Sequence, residues 1–340
     1  MQKSSHTTNK KQLLEFEKPL LELFQKIEDL KNSSKEGNID MTEEIHMLEK
    51  RIKTLQHNIF SKLTPIQIVQ VSRHIRRPTT IDLIKLIFKD FIELRGDRNF
   101  SNDPALIGGL ATLSGITKSH PLGDHTFNCP VMVMGHQKGT TTKENISRNF
   151  GMAHPEGYRK ALRLMRMAER FNIPIVSFID TPGAFPGLGA EERGQAEAIA
   201  KNLRSMASLT VPFIAIITGE GGSGGALGIG MGNRVLMLEF AIYSVISPEG
   251  CASILFRDAK KAPLAAETSK ITSKDLLELH VVDEVIKEPV GGAHNNYKET
   301  ADYIGIAIKK NLEELFVFSS RELIADRYRK YRNMGFFREV

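Results

Sequence analysis

The segment Ile217-Thr218-Gly219-Glu220-Gly221-Gly222-Ser223-Gly224-Gly225-Ala226-Leu227 packs five glycines into seven residues between a strand-like apolar run and a helix-like one. The run before it, from Val211 to Ile217, is short, apolar and rich in β-branched residues, the composition of a buried strand. The residues after it, Ala226 to Met231, are small and apolar. A chain that leaves a buried strand and opens a helix through Gly-Gly leaves backbone N–H groups without partners, with the positive end of the helix dipole behind them. Such a turn suits an anion or a developing oxyanion.

The turn has a twin upstream, in Ile173-Pro174-Ile175-Val176-Ser177-Phe178-Ile179-Asp180-Thr181-Pro182-Gly183-Ala184. Pro174 precedes Gly183 by nine residues, and Pro212 precedes Gly221 by the same nine. Between the twins, Ala190 to Leu209 carries Ala196, Ile199, Ala200, Leu203 and Met206 at helical spacing. The sequence therefore repeats a strand-turn-helix unit, and two such turns can present amides to one pocket from both sides.

Short apolar strands are expected at Leu106–Leu113, Pro130–Gly135, Ile173–Ile179, Val211–Thr218, Val235–Glu239 and Ile242–Ile246. Helices are expected at Pro155–Phe171, Ala190–Leu209, Pro248–Phe256 and Ser273–His280, with a last helical region from about Lys298. This alternation argues an α/β architecture. Before it, Leu20, Leu23, Ile27 and Leu30, then Ile45, Leu48, Ile52, Leu55 and Ile59, predict a helical hairpin with a polar turn at Lys31–Asn38. A further helix is expected over Ile81–Leu94, and Lys118–Asn128 reads as a surface insertion.

The chain has 340 residues, 41% hydrophobic and 25% charged, and can bury a substantial core. Cys129 and Cys251 lack CxxC spacing, so neither a disulfide framework nor a cysteine zinc site is expected. No apolar run approaches the roughly 18 residues of a membrane span, and the polar N-terminus has no signal-peptide core. A soluble, cytoplasmic setting is the expectation. The net charge of +6 includes two basic clusters, Arg73/Arg76/Arg77 and Arg321/Arg327/Arg329/Lys330/Arg332, which read as solvated faces or partner contacts.

Three generic patterns overlie the glycine turn. Gly219-x-Gly221-x-x-Gly224 fits a dinucleotide fingerprint, but the acidic residue it requires is only loosely matched by Glu239. Gly221-x-Ser223-x-Gly225 fits a nucleophile elbow, the basis of an alternative reading as a serine hydrolase of crotonase or α/β type, with Asp258 or Asp275 and His280 or His294 as nominal partners. A P-loop is excluded, because no Gly-Lys-Ser/Thr follows these glycines. Asp180 reads best as an Asp bonding its own turn backbone. Glu191 and Glu192 suit a helix N-terminus, while Glu220 and the loop residue His136 are weaker candidates for a base.

Longer segments go beyond generic pattern: Gly135-His136-Gln137-Lys138-Gly139, Asn149-Phe150-Gly151-Met152, Pro155-Glu156-Gly157-Tyr158-Arg159-Lys160-Ala161, Ile179 to Ala184, Gly189 to Gln195, Glu220 to Ala226, Tyr243 to Ala252, and Gly291-Gly292-Ala293-His294. With these the chain resembles, over nearly its whole length, the carboxyltransferase alpha subunits of bacterial and plastid-type acetyl-CoA carboxylase. The resemblance implies a crotonase-like ββα spiral at 63–318, an N-terminal helical hairpin at 1–62 and a basic C-terminal helical tail at 319–340.

It further implies an α2β2 assembly with a zinc-bearing beta subunit, acting with biotin carboxylase and the biotin carboxyl carrier protein, in the cytoplasm or plastid stroma. The implied reaction moves a carboxyl group from carboxybiotin to acetyl-CoA to give malonyl-CoA, the first committed step of fatty acid synthesis. The chain lacks the four-cysteine zinc module of the beta subunit and the Met-Lys-Met of a biotinylated carrier, so it is expected to hold no metal and to bind biotin only transiently. The implied mechanism leaves negative charge on the biotin ureido oxygen and lets the biotin nitrogen act as base. The expected donors are the amides of Gly224 and Gly225, helped by Gly183 or Ala184, with Gly221, Gly222, Ser223 and Ala226 completing the substrate-binding set. Two features depart from the family pattern: the longer Lys118–Asn128 segment, and Thr140-Thr141-Thr142 where charged residues are usual.

Overall fold

Leucine and isoleucine at three- and four-residue spacing build two N-terminal helices, α1 (Lys18–Gly37) and α2 (Thr42–Phe60), whose apolar stripes face each other. Leu20, Leu23, Ile27 and Ile52 form a small buried cluster between them. The structure, a computed structural model, describes residues 13–37, 40–118 and 125–335. The polar stretch expected as a turn from Lys31 is helical as far as Gly37, since its lysines and glutamate tolerate helix. Phe60 leaves the hairpin and meets the ring of Phe240 edge-on at 5.5 Å.

Next come α3 (Pro65–Ser72) and α4 (Thr80–Ile87), followed by strands β1 (Lys89–Glu93), β2 (Leu106–Lys118) and β3 (His125–His136). The helix expected over Ile81–Leu94 therefore stops at Ile87. Asp90 turns left-handed at φ 53°, and the remainder pairs as an edge strand with β2, where Gly109 lacks the β-carbon that would collide with the Ile92 carbonyl. Pairing across the sheet overrides the local helical spacing. The flanks of the expected insertion likewise continue the β2–β3 ladder, with Ile116 opposite Phe127 and Thr117 opposite Thr126. His120, Pro121, Gly123 and Asp124 of that segment lie outside the described residues.

The chain continues through α5 (Thr142–Ser147), α6 (Pro155–Arg170), β4 (Ile175–Thr181), α7 (Leu188–Glu192), α8 (Gln195–Ser208), β5 (Phe213–Gly222), α9 (Ser223–Leu227), β6 (Arg234–Leu238) and β7 (Ile242–Ser244). It ends with α10 (Pro248–Phe256), α11 (Ala262–Thr268), α12 (Ser273–Glu278), β8 (Glu284–Ile286), α13 (Tyr297–Leu315) and α14 (Ser320–Arg332). The sheet runs β1-β2-β3-β4-β5-β6-β8, with β7 paired to the far end of β5. Its first two pairings are antiparallel and the others parallel. β4 and β5 are buried along their full length, as strands covered on both faces must be.

The basic tail is not a uniformly solvated face. Arg327 on α14 is completely buried, and its guanidinium donates to the carbonyls of Leu209 and Val211 and to Asn233 Oδ1. Burial pushes its pKa down to about 10, and its hydrogen bonds dock α14 onto the entry to β5. Arg77 is also buried, pairing with Glu288 and donating to the Thr218 carbonyl.

Candidate functional site

β4 and β5 lie side by side in parallel, with Thr181 opposite Gly221, so the two repeated turns leave the sheet at the same edge. They touch backbone to backbone. A β-carbon on Gly222 would collide with the Pro182 carbonyl, and one on Gly225 would collide with the Gly183 carbonyl carbon and lie 2.6 Å from the Ala184 nitrogen. Only glycine permits this approach. The outward side is open: a β-carbon on Gly183 would meet nothing within 4 Å, and one on Gly224 would meet only Ile199, at 3.6 Å. Gly221 packs under the Tyr243 ring and Ala226 is buried, while Ser223 is exposed with φ 50°.

β5 runs further than the sequence predicts, to Gly222, and α9 has only five residues. The expected contribution of a helix dipole therefore falls away, since one turn has little macrodipole. What remains are first-turn amides that no carbonyl of α9 can reach. In the twin turn the Gly183 amide is already engaged, donating to Thr181 Oγ1 at 3.2 Å.

Side chains hold the twin turn from behind. Phe185 N–H donates to the Ala153 carbonyl at 3.1 Å, the Phe185 ring stacks on His154 at 4.2 Å, and the Gln195 carboxamide donates to the carbonyls of both Ala153 and Phe185. Gln195 reaches them because the expected Ala190–Leu209 helix is broken at Gly194, which is left-handed at φ 81°. Beneath the glycine turn, His136 ends β3 fully buried against the Gly225 backbone, rather than lying in a loop. Burial, with Lys138 nearby, pushes its pKa down to about 3, so the ring is neutral at physiological pH and cannot hold a phosphate by charge.

Ion pairs fill the floor beside the turns. Lys138 Nζ lies 2.8 Å from Asp180 Oδ1 and 2.9 Å from Glu220 Oε2, and Arg73 Nε lies 2.6 Å from Glu220 Oε1 while reaching Glu249 at 2.7 Å. Burial alone would raise the pKa of Glu220, but Lys138 and Arg73 hold it below the usual glutamate range, which makes it a weak base. Asp180 does not bond its own turn; its Oδ1 accepts the Glu220 N–H at 2.9 Å, across to the other turn. These groups border a cavity of about 540 Å³ whose mouth carries Phe150, held with Asn149 and Gly151 in a left-handed run. The sequence reading missed Lys138 and Arg73 as site residues, although the first lies in Gly135–Gly139 and the second in a basic cluster. Glu191 and Glu192 are exposed on α7, outside this network.

The family model described as acetyl co-enzyme A carboxylase carboxyltransferase-like matches residues 13–335. An acetyl-coenzyme A carboxylase carboxyl transferase subunit alpha from Geobacter metallireducens is 55% identical over 326 residues, covering 96% of this chain and 98% of that protein. The chain belongs to the acetyl-coenzyme A carboxylase carboxyltransferase alpha-subunit family. Alpha subunits from Staphylococcus haemolyticus, 55% identical, and Thermus thermophilus, 53% identical, match 96% of the chain and nearly all of their own length. A transcarboxylase 12S structure superposes with a TM-score of 0.54 at 21% identity, over 69% of this chain and 41% of that one, which shows the crotonase-like carboxyltransferase fold.

Family membership argues against the serine-hydrolase alternative, and so does the placement of its nominal partners. Asp275 caps α12 through Thr272, Asp258 accepts from the Lys260 amide, His294 stacks on His74 at 3.9 Å, and His280 borders a separate cavity beside Asp283 and Lys330. Glu239, the loose dinucleotide match, pairs with Lys287 and accepts from the Glu288 amide. Among the described residues no cluster of three or more His, Cys, Asp or Glu is arranged to hold a metal, and no helix is long and apolar enough to cross a membrane.

Proposed function

We propose that this chain supplies one half of a carboxyltransferase site, in which a carboxyl group passes from carboxybiotin on a separate carrier protein to acetyl-CoA to give malonyl-CoA. The observation that carries the reading is the backbone contact between the two turns, open on its outward side at Gly183 and Gly224. A neutral, flat carbonyl group such as the ureido of biotin fits such a place, because two converging amides can approach it without a side chain in between. Biotin, when bound, supplies the transferred carboxyl group and an oxygen that becomes anionic as that group leaves.

The protein's part is to donate hydrogen bonds to that oxygen, from Gly224 and Gly225 on one side and Ala184 on the other. Ala184 is favoured over Gly183, whose amide is occupied by Thr181. Gly221, Gly222, Ser223 and Ala226 shape the approach. No side-chain base is asked for, in keeping with Glu220 locked between two cations. We assign acetyl-CoA and the zinc site to a beta partner in an α2β2 assembly, with biotin carboxylase completing a cytoplasmic or plastid system. The hairpin at 1–62 and the tail at 319–340 are taken as units flanking the catalytic body at 63–318.

The test is reconstitution. The chain alone, offered acetyl-CoA and carboxylated carrier, is expected to form no malonyl-CoA, and to form it once the zinc-bearing beta subunit is added. Ester hydrolysis by the isolated chain that disappears in Ser223→Ala would establish the hydrolase reading instead.

A further inference from the structure

The two turns meet through glycine backbone, which brings them close but does not by itself fix how their amides are aimed. We infer that Asp180, held by Lys138, is a positioning residue that sets the glycine turn against its twin; the inference rests on the reading of these turns as paired donors. Asp180 stands at the end of β4, one residue before Thr181. Its carboxylate crosses to β5 and accepts the Glu220 N–H at 2.9 Å, which makes it a side-chain rung where the backbone ladder between the strands is irregular. The ladder shifts register between Ile179 and Thr181, so Thr181 pairs with Gly221 two residues further along β5 than the preceding pairs predict. Asp180 sits inside that shift and occupies the gap it leaves.

Three features of the surroundings serve this rung. Gly219 has no β-carbon, and one there would collide with Asp180 Oδ1. Gly151, left-handed at φ 80°, lets the 149–151 loop lie against the Asp180 carbonyl, where a β-carbon would come within 2.7 Å. Lys138 then spans the two turns a second time, bonding the Asp180 carboxylate at 2.8 Å and the Glu220 carboxylate at 2.9 Å. Arg73, the residue that caps α3, closes the far side of Glu220 and ties it to Glu249 on α10. The glycine turn is thus gripped at one residue, Glu220, by its amide and by its side chain, five positions before Gly225. A displacement of about 1 Å in catalytic geometry can cost on the order of 100-fold in rate, so the grip matters to turnover through the placement of the turn amides.

The experiment uses the assembled enzyme, alpha with beta subunit, and follows malonyl-CoA formation from carboxylated carrier. Asp180→Ala removes the acceptor, whereas Asp180→Asn keeps an oxygen able to accept from Glu220 N–H. The inference predicts that Asp180→Ala lowers kcat by about 100-fold with the KM for acetyl-CoA within twofold, while Asp180→Asn stays within about tenfold of wild-type kcat. Equal losses in the two variants, or a loss confined to KM, would overturn it. If Asp180→Ala fails to assemble, Lys138→Met is measured in its place: a fall in kcat of about tenfold at unchanged KM supports the inference, and an unchanged kcat overturns it. A wild-type complex that forms no malonyl-CoA would overturn the functional reading itself, whereas an active wild type with indifferent Asp180 variants would overturn only the positioning role.

Discussion

The two turns occupy equivalent places at the ends of neighbouring strands, yet they are held in opposite ways. The glycine turn at 219–225 is shaped by missing side chains, with Gly219 cleared for Asp180, Gly222 for Pro182 and Gly225 for Gly183. The twin at 180–187 is shaped by side chains that are present: Thr181 on Gly183, Phe185 on His154, and Gln195 on two carbonyls. One turn is therefore sensitive to addition and the other to removal. A site made of backbone donors needs both, since the side without β-carbons can approach only something already rigid.

The largest break in that comparison is expected from Gly225→Val, which drives a branched side chain into Gly183 and Ala184. Separating the turns is predicted to lower kcat at least about 100-fold, with overpacking that destabilises the fold by about 1–3 kcal/mol, read by malonyl-CoA assay and chemical denaturation. Removal on the other side comes next. Gln195→Leu takes the side-chain donor from the half-buried Phe185 carbonyl and leaves the Ala153 carbonyl with the Phe185 N–H alone, and should cost about 0.5–1.5 kcal/mol of stability together with a smaller loss of rate, measured on the same samples.

Acid presses on the glycine turn from below. His136 is neutral in the fold, with a pKa near 3 because of burial, while in the unfolded chain it titrates at its ordinary value. Between those values the unfolded state binds the proton and the native state does not, so stability is complete above about pH 6.5 and falls as pH drops toward 3. The expected slope from this residue is about 1.4 kcal/mol per pH unit, and denaturation midpoints at pH 7, 6 and 5 should show it, with a flatter dependence in His136→Phe. The smallest effect is expected at Gly224, where the β-carbon of Gly224→Ala has room against Ile199 and the amide is kept. Stability within about 0.5 kcal/mol and rate within a few-fold would sharpen the contrast with Gly225.

Much of this was legible in the residues. The nine-residue spacing from each proline to each turn glycine announced the paired strands β4 and β5, and the three- and four-residue rhythm of Leu20 to Ile59 announced the hairpin of α1 and α2. What was hidden depends on partners distant in sequence. Phe88 to Leu94 carries helical spacing, but β2 claims it as an edge strand. Arg77 and Arg327 look like surface charge until Glu288 and the carbonyls at the start of β5 surround them. Asp180 looked local because an Asp before Thr-Pro usually is, and only the register shift between β4 and β5 turns it toward Glu220. The end of α9 at Leu227 did leave a signal, since Gly228 and Gly230 follow it and glycine is a poor helix former.

The claim that backbone amides from the paired turns stabilise the anionic oxygen is tested most directly by removing one amide and nothing else. Replacing Gly225 with glycolic acid changes the N–H to an ester oxygen while leaving the glycine geometry in place. In the enzyme assembled with its beta partner, kcat for malonyl-CoA formation is predicted to fall by roughly 100- to 1,000-fold with little change in the KM for acetyl-CoA. A kcat within twofold of wild type would contradict the account.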